Sequence, residues 1–532
     1  LSYHKRTQTD TKAPTSQHNS LGSRRYESTE VAEISPNSAV IKGGRLMQLV
    51  PPVAMPSTTS EAALDGAISA FDTSKPVANF SPGPAPMPNS VMDEIQKEML
   101  DYRGTGISVL SMSHRSPEFG AIIDDCRSVL RRVLRLPESH EILFTHGGGH
   151  GQFAAVPLNL CPGGPNESSA DYFVHGSWGR RAAAEAAKYT TVRIAAETDG
   201  KTLPPRSSWD LNPNASYRYI CSNETVDGNE YHTLPAFDDN VPLVVDMSSD
   251  ICSKPIDWNR VGAAFACAPK NIGHAGLTVV VVRKDLLLSR QAQPTCPGVL
   301  NWKINHESGA MWNTPPTFNV YTTGKVLHYI EDEGGLDAME RRAKMKSGAF
   351  YSCIEKSNGF YDTPLTNPAE RSRMNAPFCV LDGDVAATNA FLIAAYEKNM
   401  VGFRTKTPFS MGKWLRASFY TGTTVEQAEA LVSFMKDFAA TYQKETLAAA
   451  AVEVSDAEPA GVTTHKKSLG LPPRPPSPLQ PLRPNSSNSN NQPISRPSFG
   501  AGALMAKSGV GRIGGIKASM SLDSGLPSFV RA

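Results

Sequence analysis

Phe265-Ala-Cys-Ala-Pro-Lys270-Asn-Ile-Gly-His-Ala-Gly276 joins two apolar runs, residues 262–266 and 277–282. Each run has the length and the small or β-branched content of a buried strand. The lysine between them is flanked by small apolar residues, and Gly273 and Gly276 let the backbone turn tightly beside it. A long amine at the mouth of a buried strand is costly unless it is neutralised or used covalently. It suits an enzyme that holds a carbonyl cofactor as a Schiff base. The plainer alternative is a lysine that snorkels from a strand end to water. On either side the texture repeats. Residues 141–145, 171–174, 217–221 and 242–246 read as further strands, and 91–102, 119–133, 152–159 and 179–189 as amphipathic or apolar helices. Alternation of this kind predicts an α/β domain with a mostly parallel sheet, whose ligands collect at the carboxyl ends of the strands.

With 532 residues, 40% hydrophobic and 20% charged, the chain is long enough for two or more globular domains. A net charge of +2 gives no basis for a nucleic-acid or membrane partner, and no apolar run approaches the ~18 residues of a membrane span. Eight scattered cysteines without a C-x-x-C pair suit reduced, buried thiols. His146 and His150 make one H-x-x-x-H pair, inside a glycine run, and no metal is expected. Residues 1–78, rich in Ser, Thr, Ala and Pro, read as a disordered or targeting-like extension. Its early basic residues resemble an organelle transit peptide, and Glu27, Glu30 and Glu33 argue against one. The location is therefore cytoplasmic, or plastid or mitochondrial if that extension is an address. Residues 79–349 form the expected large domain and 350–445 a smaller one ending in a long helix, 424–443. Residues 446–532 are a Pro/Ser-rich basic tail that cannot bury enough apolar surface to order itself. Within it, Pro478-Leu-Gln-Pro-Leu-Arg483 matches a polyproline ligand pattern, which such tails also match by chance.

Five features beyond Lys270 fit pyridoxal phosphate chemistry. Asp246 ends an apolar strand, where a carboxylate can pair with a protonated ring nitrogen; it can equally be a turn residue. Gly147-Gly-Gly-His150-Gly151 opens an apolar helix, as a phosphate cradle does. Trp178 precedes a helix and can stack on a cofactor ring or fill a core. Thr225 ends another strand and can bond a phenolic oxygen, although Asn223 or Thr225 can also cap a turn. Arg115, Arg371, Arg373, Arg404 and Arg416 offer guanidinium forks for carboxylate or phosphate groups, or ordinary surface ion pairs.

At these residues the chain resembles the phosphoserine aminotransferase family of fold-type-I pyridoxal phosphate enzymes. The matching stretches include Asn79-Phe-Ser-Pro-Gly-Pro-Ala85, Ser113-His-Arg-Ser116, His146-Gly-Gly-Gly-His-Gly151, Asn223-Glu-Thr225, Asp246-Met-Ser-Ser-Asp-Ile251, Lys270-Asn-Ile-Gly273, Asn313-Thr-Pro-Pro316 and Arg416-Ala-Ser418. They run in order from Asn79 to about Tyr442. The resemblance implies a large domain with a mostly parallel seven-stranded sheet, a smaller α+β C-terminal domain and flanking disordered tails. It implies that Lys270 carries the cofactor and shuttles the proton, that Asp246 holds the pyridine nitrogen, and that Trp178 stacks on the ring. Thr225 would contact the ring oxygen, and Gly149 and His150 the phosphate. Asn313 and Thr314 would reach the phosphate in a neighbouring subunit, giving a homodimer with shared sites. His114, Arg115, Arg404 and Arg416 would bind substrate, Arg416 its α-carboxylate. The implied reaction moves an amino group from glutamate to 3-phosphohydroxypyruvate, giving O-phosphoserine and 2-oxoglutarate in serine biosynthesis.

The chain departs from the family pattern at named positions. Pro269 stands where glutamine is usual and lacks both a side-chain amide and a backbone donor, a loss of about one hydrogen bond, ~1 kcal/mol. His274 replaces a proline. Phe403 replaces a substrate-binding histidine, and the stretch 405–415 before Arg416 is lengthened. Two alternatives follow: a pyridoxal phosphate aminotransferase with a different amino acceptor, or a non-catalytic dimeric scaffold that acts through its tail.

Overall fold

The computed structural model describes residues 74–403 and 412–456. The extension before residue 74, the tail after 456 with its polyproline motif, and Arg404 lie outside the described residues. Among the described residues, no helix is long and apolar enough to cross a membrane.

Seven strands form the principal sheet: β1 (His140–Thr145), β2 (Ser169–Val174), β3 (Thr191–Glu197), β4 (Arg218–Cys221), β5 (Leu243–Asp246), β6 (Ala263–Cys267) and β7 (Thr278–Arg283). Their order is β1-β7-β6-β5-β4-β2-β3. β7 runs against both neighbours, β1 and β6, and every other pairing is parallel. The central strands are buried on both faces, which is why they read as unbroken apolar runs. Alternate residues serve opposite layers. Val279 and Val281 join a core with helices Pro117–Val133 (α1) and Thr317–Asp332, while Val280 and Val282 pack with helices Gly148–Leu160 and Ser177–Ala186. Each such valine, fully buried, stabilises the fold by roughly 1.5–3 kcal/mol before entropy is counted. β3 is one of the two edge strands. Its Arg193 pairs with Asp171 and Asp210 and Glu197 with Arg180, so charge occupies positions that apolar side chains fill farther in.

A second, three-stranded antiparallel sheet has β9 (Asn375–Val380) between β8 (Tyr361–Asp362) and β10 (Leu415–Ser418). Helices Val385–Glu397 and Val425–Asp456 contribute to its aromatic core, with Asp384 capping the first by accepting from Ala387 N at 2.7 Å. Phe80 packs into the same core, and Ala78–Asn79 pairs in parallel with Met400–Val401. The first described residues therefore pack into the small core before the chain builds the large sheet. Helix Gly335–Glu355 serves both cores. Leu336 and Met339 pack with the large sheet, and Phe350 and Ile354 with the small one, so a division at 349/350 falls inside one continuous helix. Polar stitches join the two parts: Asn223 Nδ2 donates to Asn375 Oδ1, and Asn271 Oδ1 accepts from Thr421 N.

Candidate active site

The strands β1, β2, β4, β5 and β6 point their carboxyl ends to one edge of the sheet, and the loops that leave that edge build a cavity of about 400 Å³. Register aligns the contributors: Cys221 on β4 lies beside Asp246 on β5, which lies beside Phe265 on β6. Lys270 follows β6 by three residues, and its Nζ donates to Thr225 Oγ1 at 2.9 Å. The same nitrogen stands 5.6 Å from the Trp178 ring centre. Gly83, from the entering segment, lets the lysine stem pass, because a Cβ there would come within 3.2 Å of Lys270 Cγ.

Asp246 is 4% exposed. Its Oδ1 accepts from Ser248 N at 2.9 Å and its Oδ2 from Tyr219 OH at a longer 3.4 Å. Burial raises its pKa, against the pull of Ser248 and the Lys270 ammonium. A buried carboxylate so placed favours a cationic partner in the cavity. Gly149 and His150 lie in the first turn of helix Gly148–Leu160, whose amino end opens on the cavity after Gly147 at φ +89. First-turn N–H groups there favour an anion. Arg416, on β10, is 4% exposed, donates from Nη1 to the Thr225 carbonyl at 2.6 Å, and keeps a buried Nε without a hydrogen-bond partner. Burial lowers its pKa from the usual guanidinium range. The cavity thus offers an amine, an indole, a buried carboxylate, a helix amino end and a guanidinium edge. Those donors fit the carbonyl, ring, pyridine nitrogen and phosphate of pyridoxal phosphate together with a substrate carboxylate.

Of the residues to which the resemblance gives roles, seven line this cavity: Gly149, His150, Trp178, Thr225, Asp246, Lys270 and Arg416. Four others stand away from its walls. Asn313 and Thr314 are exposed, with Asn313 Nδ2 3.4 Å from His146 Nε2, while His114 is half-buried and Arg115 exposed on the loop before α1. Pro269 is a wall residue, and its carbonyl accepts from Ala85 N at 2.8 Å. Phe403 is not: its ring stacks on Phe80 at 5.3 Å within the small core. Sequence reasoning passed over Tyr219, Ser248, Glu224, Asp227 and Gly83. Tyr219 was findable, since it shares a strand face with Cys221 two residues on. Glu224 lay inside the quoted Asn223-Glu-Thr225 motif, but nothing local marks an acid as the partner of amides 46 residues away.

A family model described as aminotransferase class-V matches residues 77–431. Phosphoserine aminotransferase of Albidiferax ferrireducens is 45% identical over 370 residues, 68% of this chain and 97% of that protein. That of Ectopseudomonas mendocina is 41% identical over 368 residues, 69% of this chain and 98% of that protein. Among solved structures, phosphoserine aminotransferase from Bacillus circulans subsp. alkalophilus superposes with a TM-score of 0.65 at 34% identity, covering 69% of this chain and 99% of that one. The pyridoxal phosphate-bound enzyme from Trichomonas vaginalis gives 0.64 at 35%, covering 68% and 100%. With the near-complete span of those relatives matched and a cavity of the required chemistry in place, the chain belongs to the phosphoserine aminotransferase family of class-V aminotransferases.

Proposed function

We propose that the cavity around Lys270 is where the chain moves the amino group of glutamate onto 3-phosphohydroxypyruvate, giving O-phospho-L-serine and 2-oxoglutarate. The chain is a pyridoxal phosphate-dependent transaminase of serine biosynthesis. The observation that supports the site assignment is the convergence of Lys270 Nζ, Thr225 Oγ1 and the Trp178 ring over a buried Asp246. When bound, pyridoxal phosphate supplies a carbonyl that condenses with amines and a ring that withdraws electrons from the bonds at Cα.

The residues divide the remaining work. Lys270 Nζ would hold the cofactor and would move a proton on and off the reacting carbon. Thr225 Oγ1 orients that amine. Asp246 would keep a proton on the ring nitrogen, its own negative charge stabilised by Ser248 N and Tyr219 OH. Trp178 would stack on the cofactor ring, and the first turn of helix Gly148–Leu160 with His150 would hold its phosphate. Arg416 grips the substrate α-carboxylate through the edge not committed to Thr225, and Arg404 adds positive charge for the distal anion.

The working unit in this reading is a homodimer. Asn313, Thr314, His114 and Arg115 stand away from the cavity of their own chain, and a second copy brings them to its site. Phe403 lies in the small core, which removes one of the grounds for a changed amino acceptor. Borohydride reduction of the pyridoxal phosphate-loaded chain, followed by peptide mapping, tests the site: the adduct is expected on Lys270. Adduct on another lysine overturns the assignment.

A further inference from the structure

Helix Ser177–Ala186 (α2) presents Trp178 to the cavity from its first turn, yet it has no cap of its own. Gly176, at its start, supplies no side chain. The orphan amides are taken instead by two acids from a distant loop. Glu224 Oε2 accepts from Trp178 N at 2.8 Å and Oε1 from Gly179 N at 2.7 Å. Asp227 Oδ2 accepts from Ser177 N at 2.7 Å. Three consecutive N–H groups at a positive helix end are therefore held by carboxylates. A serine at position 176 could cap an ordinary helix more simply. Here even an alanine fits only by pushing both acids aside, because a Cβ at Gly176 would lie 2.4 Å from Glu224 Cδ and 2.8 Å from Asp227 Oδ2. Gly200 is cleared in the same way, its Cβ position lying 2.8 Å from Asp227 Oδ1.

Between those acids sits Thr225, which holds Lys270 Nζ with its hydroxyl and Arg416 Nη1 with its carbonyl. We propose that Glu224 and Asp227 are positioning residues, a clamp that locks the indole of Trp178 in register with Lys270 and Arg416 through one six-residue loop, 223–228. The cost of burying two acids side by side is visible: burial and the Asp227 charge raise Glu224 against the pull of the Gly179 and Trp178 amides, and burial raises Asp227 as well. Asp246 adds to the repulsion on Glu224, while Arg180 relieves Asp227 and Asp227 in turn faces Arg416. A fold that needed only a helix start would not maintain that arrangement.

The inference rests on Trp178 facing the cofactor, so its test separates the two claims. Glu224→Gln leaves one amide facing a donor instead of an acceptor. Gly176→Ala displaces both carboxylates without backbone strain, since φ 179 suits any residue. Hydrogen exchange over Ser177–Gly179 is measured in the full chain with and without pyridoxal phosphate, together with steady-state kinetics on O-phosphoserine. Each variant should speed exchange there and lower kcat by about tenfold, with KM within about threefold. Faster exchange with wild-type kcat sinks the proposal, and so does a lower kcat with wild-type exchange. Should Glu224→Gln not fold, Gly176→Ala decides by the same criteria. A wild-type chain that takes up no cofactor refutes the functional assignment, while exchange in the cofactor-free variants still decides the clamp.

Discussion

Arg416→Ala should raise KM for O-phosphoserine and for glutamate by about a hundredfold while kcat changes little. Both substrates bring the same α-carboxylate to the same guanidinium. Arg416 Nη1 is committed to the Thr225 carbonyl, and Nε is buried without a partner, so one edge of the fork remains for an anion. A charge-assisted pair in a site this dry is worth about 3 kcal/mol, which is roughly two decades in kcat/KM. The contact exists before and during reaction, so its loss falls on KM. Arg416→Lys keeps the charge and loses the fork, and should cost about tenfold. Initial rates with each amino donor, alongside thermal melts to show that the variants fold, measure the effect. A folded Arg416→Ala enzyme with both KM values within twofold of wild type would show that the α-carboxylate binds elsewhere.

Lys270→Ala should abolish the visible absorbance of bound cofactor and nearly all turnover while leaving the melting transition in place; robust transamination by that variant contradicts the assigned role. Gly83→Ala places a Cβ 3.2 Å from Lys270 Cγ at φ +124, a backbone state costing an L-residue about 1–3 kcal/mol. Cofactor retained after dialysis should fall, and full stoichiometry would count against the close approach. Phe403→His puts a polar ring into an aromatic core, so stability should drop by about 2 kcal/mol or more with KM for O-phosphoserine unchanged. A changed KM with unchanged stability would place that side chain at the substrate.

The parts of the fold legible in sequence are those where burial dictates composition. β4 to β7 are enclosed on both faces, and their apolar runs gave boundaries within a residue or two of the observed ones. β3 was not legible, because an edge strand carrying Arg193 and Glu197 has the pattern of a solvated loop. Two-residue strands such as Tyr361–Asp362 hold no period to detect. Helix Gly335–Glu355 blurs any domain boundary for a physical reason: its faces change partners along its length, and sequence periodicity reports a face but not which core it meets.

The same distinction explains the site. Lys270, Asp246, Thr225 and Trp178 are legible because together they put cofactor chemistry at strand ends and a helix start, where a parallel sheet gathers its loops. Their supports are not, because a support is defined by what it touches. Glu224 is an unremarkable acid until the chain folds and Trp178 N and Gly179 N arrive at its oxygens from 46 and 45 residues away. Phe403 shows the converse error. Its position in a family motif suggested the substrate side, and packing against Phe80 places its ring in the small core. Residue type marks where chemistry can occur, whereas the lengths and angles that make it occur are set by tertiary contacts. In this chain one loop sets three of them at once, since the lysine, the indole and the arginine all refer their positions to residues 224–227. Substitutions in that loop should therefore couple energetically with substitutions at all three, although those three lie on separate elements.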